Sequence, residues 1–414
     1  MRAIIEPMLK VFSGVLADPL VQLVDAAVAH KGGAEAALFH GLAIEAELST
    51  RALTGSAWQN HLLECLLRDE NAFSRKAQLG GLENMGAGLV DAVKADLAEL
   101  RRLFERPVDA GPFQPQGTEE PEPMACILAA SDDWASLVGA LSAHFQENGC
   151  GLLARHRALR WVQQGASGHL EAITRPDPIR LEGLYAYDLE RELLLANTEQ
   201  FAAGQPANNV LLYGDRGTGK SSTIKALLQR FHRLRMVELA PDSLFQLPLL
   251  LAQLAETPHR CVLFVDDLSF EEFEVQYKHL KAVLEGGLEA RPANVVIYAT
   301  SNRKHLVKEH FSDLTKAIIN DEIHQQDSVQ EKLSLSDRFG ITLTFPAPDQ
   351  PRYLEIAGRL AAARGLAMDP AELRARAIRW AMYHNGFSGR TARQFVDYLE
   401  GQAALGRGAA DSPL

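Results

Sequence analysis

The sequence predicts an α/β protein. A parallel sheet with helices on both faces follows a mostly helical N-terminal domain and precedes a small C-terminal helical lid. Three observations predict this. Five short apolar runs between residues 210 and 345 alternate with helical stretches, the pattern of strands buried on both faces. A glycine-rich turn, Gly214-x-x-x-x-Gly219-Lys220-Ser221, joins the first run to a helix. Apolar residues recur at helical spacing through the N-terminal region and again after residue 350.

Length and composition bound the rest. A chain of 414 residues suggests two or three domains, and 47% hydrophobic residues can fill a sizeable core. The net charge of −11, from 53 acidic and 42 basic residues, argues against a nucleic-acid footprint over the whole surface. A local basic patch stays open, so nucleic acid is not excluded as a partner. Cys65, Cys126, Cys150 and Cys261 have no C-x-x-C spacing and suggest neither a disulfide framework nor a zinc site. The N-terminus lacks a secretory leader pattern and no apolar run reaches about 18 residues, so a cytoplasmic protein without a membrane span is expected.

Residues 1–106 read as a helical domain, with Leu20, Leu23, Val24 and Ala27 on one face and Leu89, Val93, Leu97 and Leu100 on another. His40, Trp58 and His61 fall within these patterns and read as core or surface residues. With no catalytic motif here, binding of an unknown protein partner is the expected role. Residues 107–124, rich in Pro, Gly and acid, read as a linker with solvated Glu119, Glu120 and Glu122. Residues 125–175 read as a helical connector, with Trp134, Leu137, Leu141 and Phe145 on one face. Arg155, His156, Arg157, Arg160 and Trp161 form a basic-aromatic cluster, either a solvated helix face around one buried Trp or a phosphate or nucleic-acid contact.

The nucleotide-binding domain is expected over 176–348. Leu184 and Tyr185 lie upstream of the first strand, placed to pack either on a nucleotide base or in the core. The strands are Val210–Tyr213, Arg235–Leu239, Cys261–Val265, Asn294–Thr300 and Gly340–Phe345. Ligands of such a sheet sit at its carboxyl edge. The turn Gly214, Gly217, Thr218, Gly219, Lys220, Ser221 and Ser222 suits a polyphosphate, because glycines let backbone N–H groups point inward and the new helix adds its positive end. Lys220 is expected to reach the β- and γ-phosphates of ATP, and the Ser221 hydroxyl to ligate Mg2+. Asp266, at the tip of the third strand, is the second metal ligand expected.

Asp267 is expected to polarise the attacking water; being one methylene shorter than Glu, it leaves Glu271 and Glu272 as alternatives. Asn302, at the tip of the fourth strand, is expected to orient that water. Arg338, ahead of the fifth strand, is expected at the domain edge, where it can enter a neighbouring subunit's site. Residues 349–414 form the lid, in which Arg390 or Arg393, with Arg390 first, reaches back to the phosphates. A long polar insertion at 303–335 carries Asp321, Glu322 and His324, a mobile loop or a metal cluster.

Together these residues resemble the AAA+ ATPases from about Pro176 to Leu399. The resemblance implies Walker A at Gly214–Ser221, Walker B at Val262–Asp267, sensor 1 at Asn302, an arginine finger at Arg338 and sensor 2 at Arg390. The wording around Pro206–Gly214, Phe264–Glu272, Lys281–Pro292, Tyr298–Arg303 and Lys332–Phe339 is similar to a bacterial family of predicted AAA+ ATPases with no assigned cellular role. It implies the fold and the Mg2+-dependent ATP chemistry, and Arg338 as a finger acting in trans implies a homo-oligomeric ring or spiral. The cycle would couple lid movement to remodelling of a partner. Asp267 in place of the family's usual Glu also admits a non-hydrolysing switch or scaffold. A phosphotransferase on the same loop is the third reading, disfavoured by Arg338 and the lid. Ala240–Gln246 lacks the aromatic-apolar-Gly loop that grips polypeptides, which argues against threading.

Overall fold

The apolar runs pair into a seven-stranded sheet of order β2-β1-β4-β5-β6-β3-β7. The computed structural model describes residues 9–28, 33–49, 51–108, 119–165, 167–268, 280, 283–284, 291–302, 338–366, 368–384 and 386–405. The chain divides into two compact units, Met1–Arg155 with Glu256–His259, and His156–Ala255 with Arg260–Leu414.

The first unit is helical: α1 (Ser13–Ala17), α2 (Pro19–Val28), α3 (Ala34–Leu48), α4 (Ala57–Arg68), α5 (Ala72–Gly80), α6 (Ala87–Phe104), α7 (Pro123–Ala130), α8 (Val138–Asn148) and α9 (Gly151–Arg155). Its core gathers Phe12, Trp58, Phe73, Leu97, Trp134 and Phe145. Val24, Ala27, Val93, Leu97 and Leu100 are buried, as their spacing predicts. Asp96 is buried because its carboxylate accepts the backbone N–H groups of Lys10, Val11 and Phe12 at 3.0, 2.7 and 3.0 Å. Those bonds offset the cost of taking a carboxylate out of water.

The second unit carries the sheet: β1 (Ala158–Gln164), β2 (Ser167–Ala172), β3 (Val210–Gly214), β4 (Leu234–Glu238), β5 (Arg260–Val265), β6 (Val295–Ser301) and β7 (Ile341–Phe345). Neighbours pair in parallel except β1 with β2. Every residue of β3 and β6 is buried. Successive side chains point to opposite faces, so both faces are covered. Helices α10 (Asp188–Ala202), α11 (Lys220–Arg230) and α12 (Leu247–Ala255) lie between strands in the chain, and α13 (Gln350–Ala363), α14 (Pro370–Tyr383) and α15 (Gly389–Ala404) follow them. The N-caps Asp349, Asp369 and Ser388 each accept a backbone N–H from the first turn that follows. Tyr353, Trp380 and Phe395 from these last helices share one core with the sheet.

The helical reading of 125–175 needs correction. Helices run only to Arg155; β1 and β2 follow as an antiparallel hairpin on the edge of the sheet. The turn uses Gly165 at φ 62°. Leu159 and Trp161 alternate inward, and Trp161 Nε1 donates to Gln246 Oε1 at 2.7 Å. Gly168 leaves room for the indole, since a Cβ there would lie 2.4 Å from ring atoms. The basic-aromatic cluster is therefore not one helix face: Trp161 is buried in β1 and Arg157 donates to the Leu228 carbonyl at 2.7 Å. Between β5 and β6, residues 269–290 are described only at 280 and 283–284. The insertion 303–335, with Asp321, Glu322 and His324, lies outside the described residues, as do Glu271, Glu272 and most of the 107–124 linker.

Candidate nucleotide site

All core strands run parallel, so β3, β5, β6 and β7 end at the same edge, and their tips deliver the site. Gly214 closes β3 at φ 140°, and a Cβ there would lie 2.1 Å from the Phe345 carbonyl oxygen at the end of β7. Gly217 and Gly219 also have positive φ, 75° and 96°. The loop turns directly into α11, whose N-cap is Gly219 with no side-chain capping bond. The first-turn N–H groups of α11 thus have neither an intrahelical partner nor a cap, and the helix dipole favours an anion there.

Lys220 opens α11 and is only 4% exposed. Its Nζ donates to the carbonyls of Gly214 and Asp215 at 3.0 and 2.7 Å, folding the ammonium back under the loop. Burial pushes it down to about 8, against the opposing pull of Asp267, Asp215 and Asp266. Thr218 stabilises the turn by donating to the Asp215 carbonyl at 2.9 Å. Ser221 Oγ donates to Asp266 Oδ1 at 2.6 Å, bringing together the two oxygens read as metal ligands. Hydroxyl and carboxylate oxygens are what Mg2+ takes, so the pair fits that ion.

Thr300, near the end of β6, links the two acids. Its Oγ1 donates to Asp266 Oδ1 at 2.6 Å and accepts the Asp267 N–H at 2.8 Å. Sequence reasoning assigned it no role. A Thr two residues before a strand-tip Asn is the only signal, and it does not say which neighbour the hydroxyl meets. Asp267 sits at φ 53°, a conformation that costs a non-glycine residue about 1–2 kcal/mol. Asn302 Nδ2 donates to Asp267 Oδ1.

Asp266, Asp267, Asn302 and the loop from Gly217 onward line a cavity of about 620 Å³. Its walls include Leu184, Tyr185 and Tyr187 from the segment before α10, Gly217 to Thr223 from the loop and α11, Asp266, Asp267 and Asn302, and Arg390 and Arg393 from α15. Leu184 and Tyr185 lie on the cavity wall, and Tyr185 also packs against the core of this unit. Ala186 and Tyr187 adopt consecutive left-handed conformations, φ 69° and 60°. With no Gly or Asn there, nothing in the sequence flags this bend. Arg191 supports it by donating to the Leu184 carbonyl, and the Tyr187 hydroxyl donates to the Pro346 carbonyl.

The first turn of α15 lies on the phosphate loop. Arg390 N donates to the Gly217 carbonyl at 3.0 Å, and a Cβ on Gly217 would lie 3.0 Å from Ser388 Oγ and 3.2 Å from Arg390 Cβ. Arg338 lies just before β7, an edge strand, at the end away from Phe345, and does not line the cavity. Among the described residues no helix is long and apolar enough to cross a membrane.

No curated protein matches the sequence. Among solved structures, the RuvB Holliday junction branch migration motor of Thermotoga maritima is 17% identical, covers 56% of this chain and 67% of its own, and has a TM-score of 0.36. Mutant forms of that RuvB give the same identity with TM-scores of 0.37 and 0.38. The fold itself rests on the strand order and phosphate loop described above. A family described as protein of unknown function (DUF815) matches residues 154–403, a span that begins just before the β1–β2 hairpin and takes in the phosphate loop, the strand-tip acids and the C-terminal helices. The chain belongs to that family, DUF815, with the P-loop core whose sequence resembles that of AAA+ ATPases.

Proposed function

We propose that the protein binds ATP with Mg2+ at this cavity, hydrolyses it, and couples the cycle to movement of α13–α15 and to remodelling of a partner. The observation that carries the reading is the uncapped N-terminus of α11, behind a loop of positive-φ glycines, with Lys220 buried beside it. Ser221 and Asp266 would hold Mg2+, which supplies charge neutralisation between the phosphates. Lys220 swings its Nζ from the loop carbonyls to the β- and γ-phosphate oxygens. Thr300 holds the Asp266 carboxylate toward Ser221. Asp267 takes the proton of the attacking water and Asn302 orients that water. Arg390, with Arg393 beside it, meets the γ-phosphate and reports its loss to the lid. Arg338 completes the site of a neighbouring subunit in a homo-oligomeric ring or spiral, and the N-terminal helices bind the unknown protein partner.

One observation favours a second reading, a non-hydrolysing ATP switch. Asp267 Oδ1 is engaged by Asn302 Nδ2, so the two groups meant for water hold each other. Phosphate release from ATP and Mg2+ by the purified protein separates the readings. The ATPase reading expects turnover that Asp267→Asn lowers about a hundredfold or more with binding retained. No turnover, with ATP still bound, would leave the switch. Failure of wild type to bind ATP, or equal binding by Lys220→Ala, would remove both.

A further inference from the structure

Three side chains of the helical unit, Asp18, Glu45 and Cys65, converge on His61. His61 and Cys65 are four apart on α4 and share a face. Asp18 precedes α2, where its Oδ1 also accepts the N–H groups of Leu20 and Val21 at 2.9 and 3.1 Å. Glu45 comes from α3. The His61 ring is 6% exposed and Cys65 is buried. His61 Nε2 lies 2.9 Å from Asp18 Oδ1 and 3.5 Å from Cys65 Sγ. The three donor atoms all fall within 4.8 Å of one another. On the far side, Nδ1 is hydrogen-bonded to the Glu45 carboxylate.

An ion pair between His61 and its two carboxylates leaves the thiol a single 3.5 Å contact with Nε2. A metal would take it as a ligand. Ligands held tetrahedrally at about 2.0–2.3 Å from zinc lie roughly 3.3–3.7 Å apart, which the nitrogen–sulfur separation already satisfies. The nitrogen–oxygen pair needs to open by only a few tenths of an ångström. A carboxylate behind Nδ1 is also the usual support of a metal-bound histidine, since it fixes the tautomer that leaves Nε2 free to ligate. Nitrogen, sulfur and oxygen together suit Zn2+ and exclude a preference for Mg2+ or Ca2+.

We propose that Asp18, His61 and Cys65 form a binding site for a divalent ion of the zinc type, with Glu45 positioning the histidine, that pins the start of α2 to α4. The fourth coordination position opens past Asp18, whose side chain is 24% exposed, and takes water. Without metal, His61 keeps its second ring proton between the carboxylates and Cys65 is a thiol. Binding therefore releases the Nε2 proton and the thiol proton to solvent.

The test uses the full chain with Cys126→Ser, which removes the exposed thiol, after stripping with a chelator. Titrating Co2+ should give one equivalent of tetrahedral visible bands with thiolate charge transfer in the near ultraviolet, both displaced by Zn2+. Cys65→Ser should lose the charge-transfer band with helical circular dichroism intact. Should that variant fail to fold, Glu45→Gln carries the test, weakening Zn2+ binding about 10- to 100-fold. Absence of the Co2+ bands in the parent, or unchanged bands in Cys65→Ser, would overturn the site and leave His61 as the centre of an ion pair. Unchanged Zn2+ affinity in Glu45→Gln would remove Glu45 from it.

Discussion

Lys220 shows how one side chain ties fold to pH. Its depressed value, about 8, is set by burial before any phosphate is present. Phosphate oxygens favour the charged form, so binding takes up a proton wherever Lys220 is neutral in the free protein. At pH 9 about one molecule in ten carries it, and ATP affinity should be about tenfold weaker than at pH 7. Titration of a fluorescent ATP analogue across this range measures the slope, and Lys220→Met should flatten it. The sign for stability follows the same shift. The unfolded chain binds more protons between pH 8 and the unfolded value of 10.5, so nucleotide-free protein gains stability as pH rises through that window.

At the scale of elements, two joints decide whether helices stay where the sequence sends them. Gly217 is where α15 meets the loop. Gly217→Ala adds a left-handed alanine and presses Ser388 and Arg390, while Gly219→Ala meets nothing within 4 Å and adds backbone strain alone. Gly217→Ala should cost roughly 1–3 kcal/mol more in thermal unfolding and speed hydrogen exchange in α15; equal effects from both variants would show the contact to be weak. The second joint is His61. Burial by itself lowers its pKa, but hydrogen bonds with Asp18, Cys65 and Glu45 outweigh it and hold the imidazolium well above its usual value. Burial likewise raises Asp18, and His61 overrides it, down to about 2. In chelator, the Asp18–His61 stabilisation is fully present from about pH 4 to 6.5, declines above 6.5, and is lost as pH falls toward 2. His61→Gln should therefore cost about 2 kcal/mol at pH 6 and less at pH 9, read by urea unfolding followed by circular dichroism.

For the whole molecule, the open question of assembly turns on Arg338. Its position beside an edge strand and off the cavity wall suits action on a second copy, which is the trans arrangement proposed. Arg338→Ala should bind ATP with unchanged affinity and turn it over slowly. Mixed with Lys220→Ala, which lacks a working loop but keeps its arginine, it should show turnover above what either has alone. No recovery, with mass in solution unchanged by a non-hydrolysable ATP analogue, would place the arginine outside catalysis.

The sequence alone determined the five core strands, the phosphate loop and the acid at the strand tip, because each is written locally. Val210–Tyr213 is a continuous apolar run, the glycines stand at fixed spacing, and Asp266 directly follows Cys261–Val265. Strand ends agree with the structure to within one residue for the same reason. Only the tertiary structure decided the rest. The β1–β2 hairpin is short and carries Arg160 and Glu171 outward, so its few buried positions were outweighed by helical neighbours. Thr300 acquires its two bonds only when β5 and β6 lie side by side. His61 reads as a lone core residue until α2 and α3 bring Asp18 and Glu45, 43 and 16 positions away, against it. Local propensity and spacing fix what a segment becomes; which distant side chains then meet is settled by packing, and no periodicity in the chain encodes it.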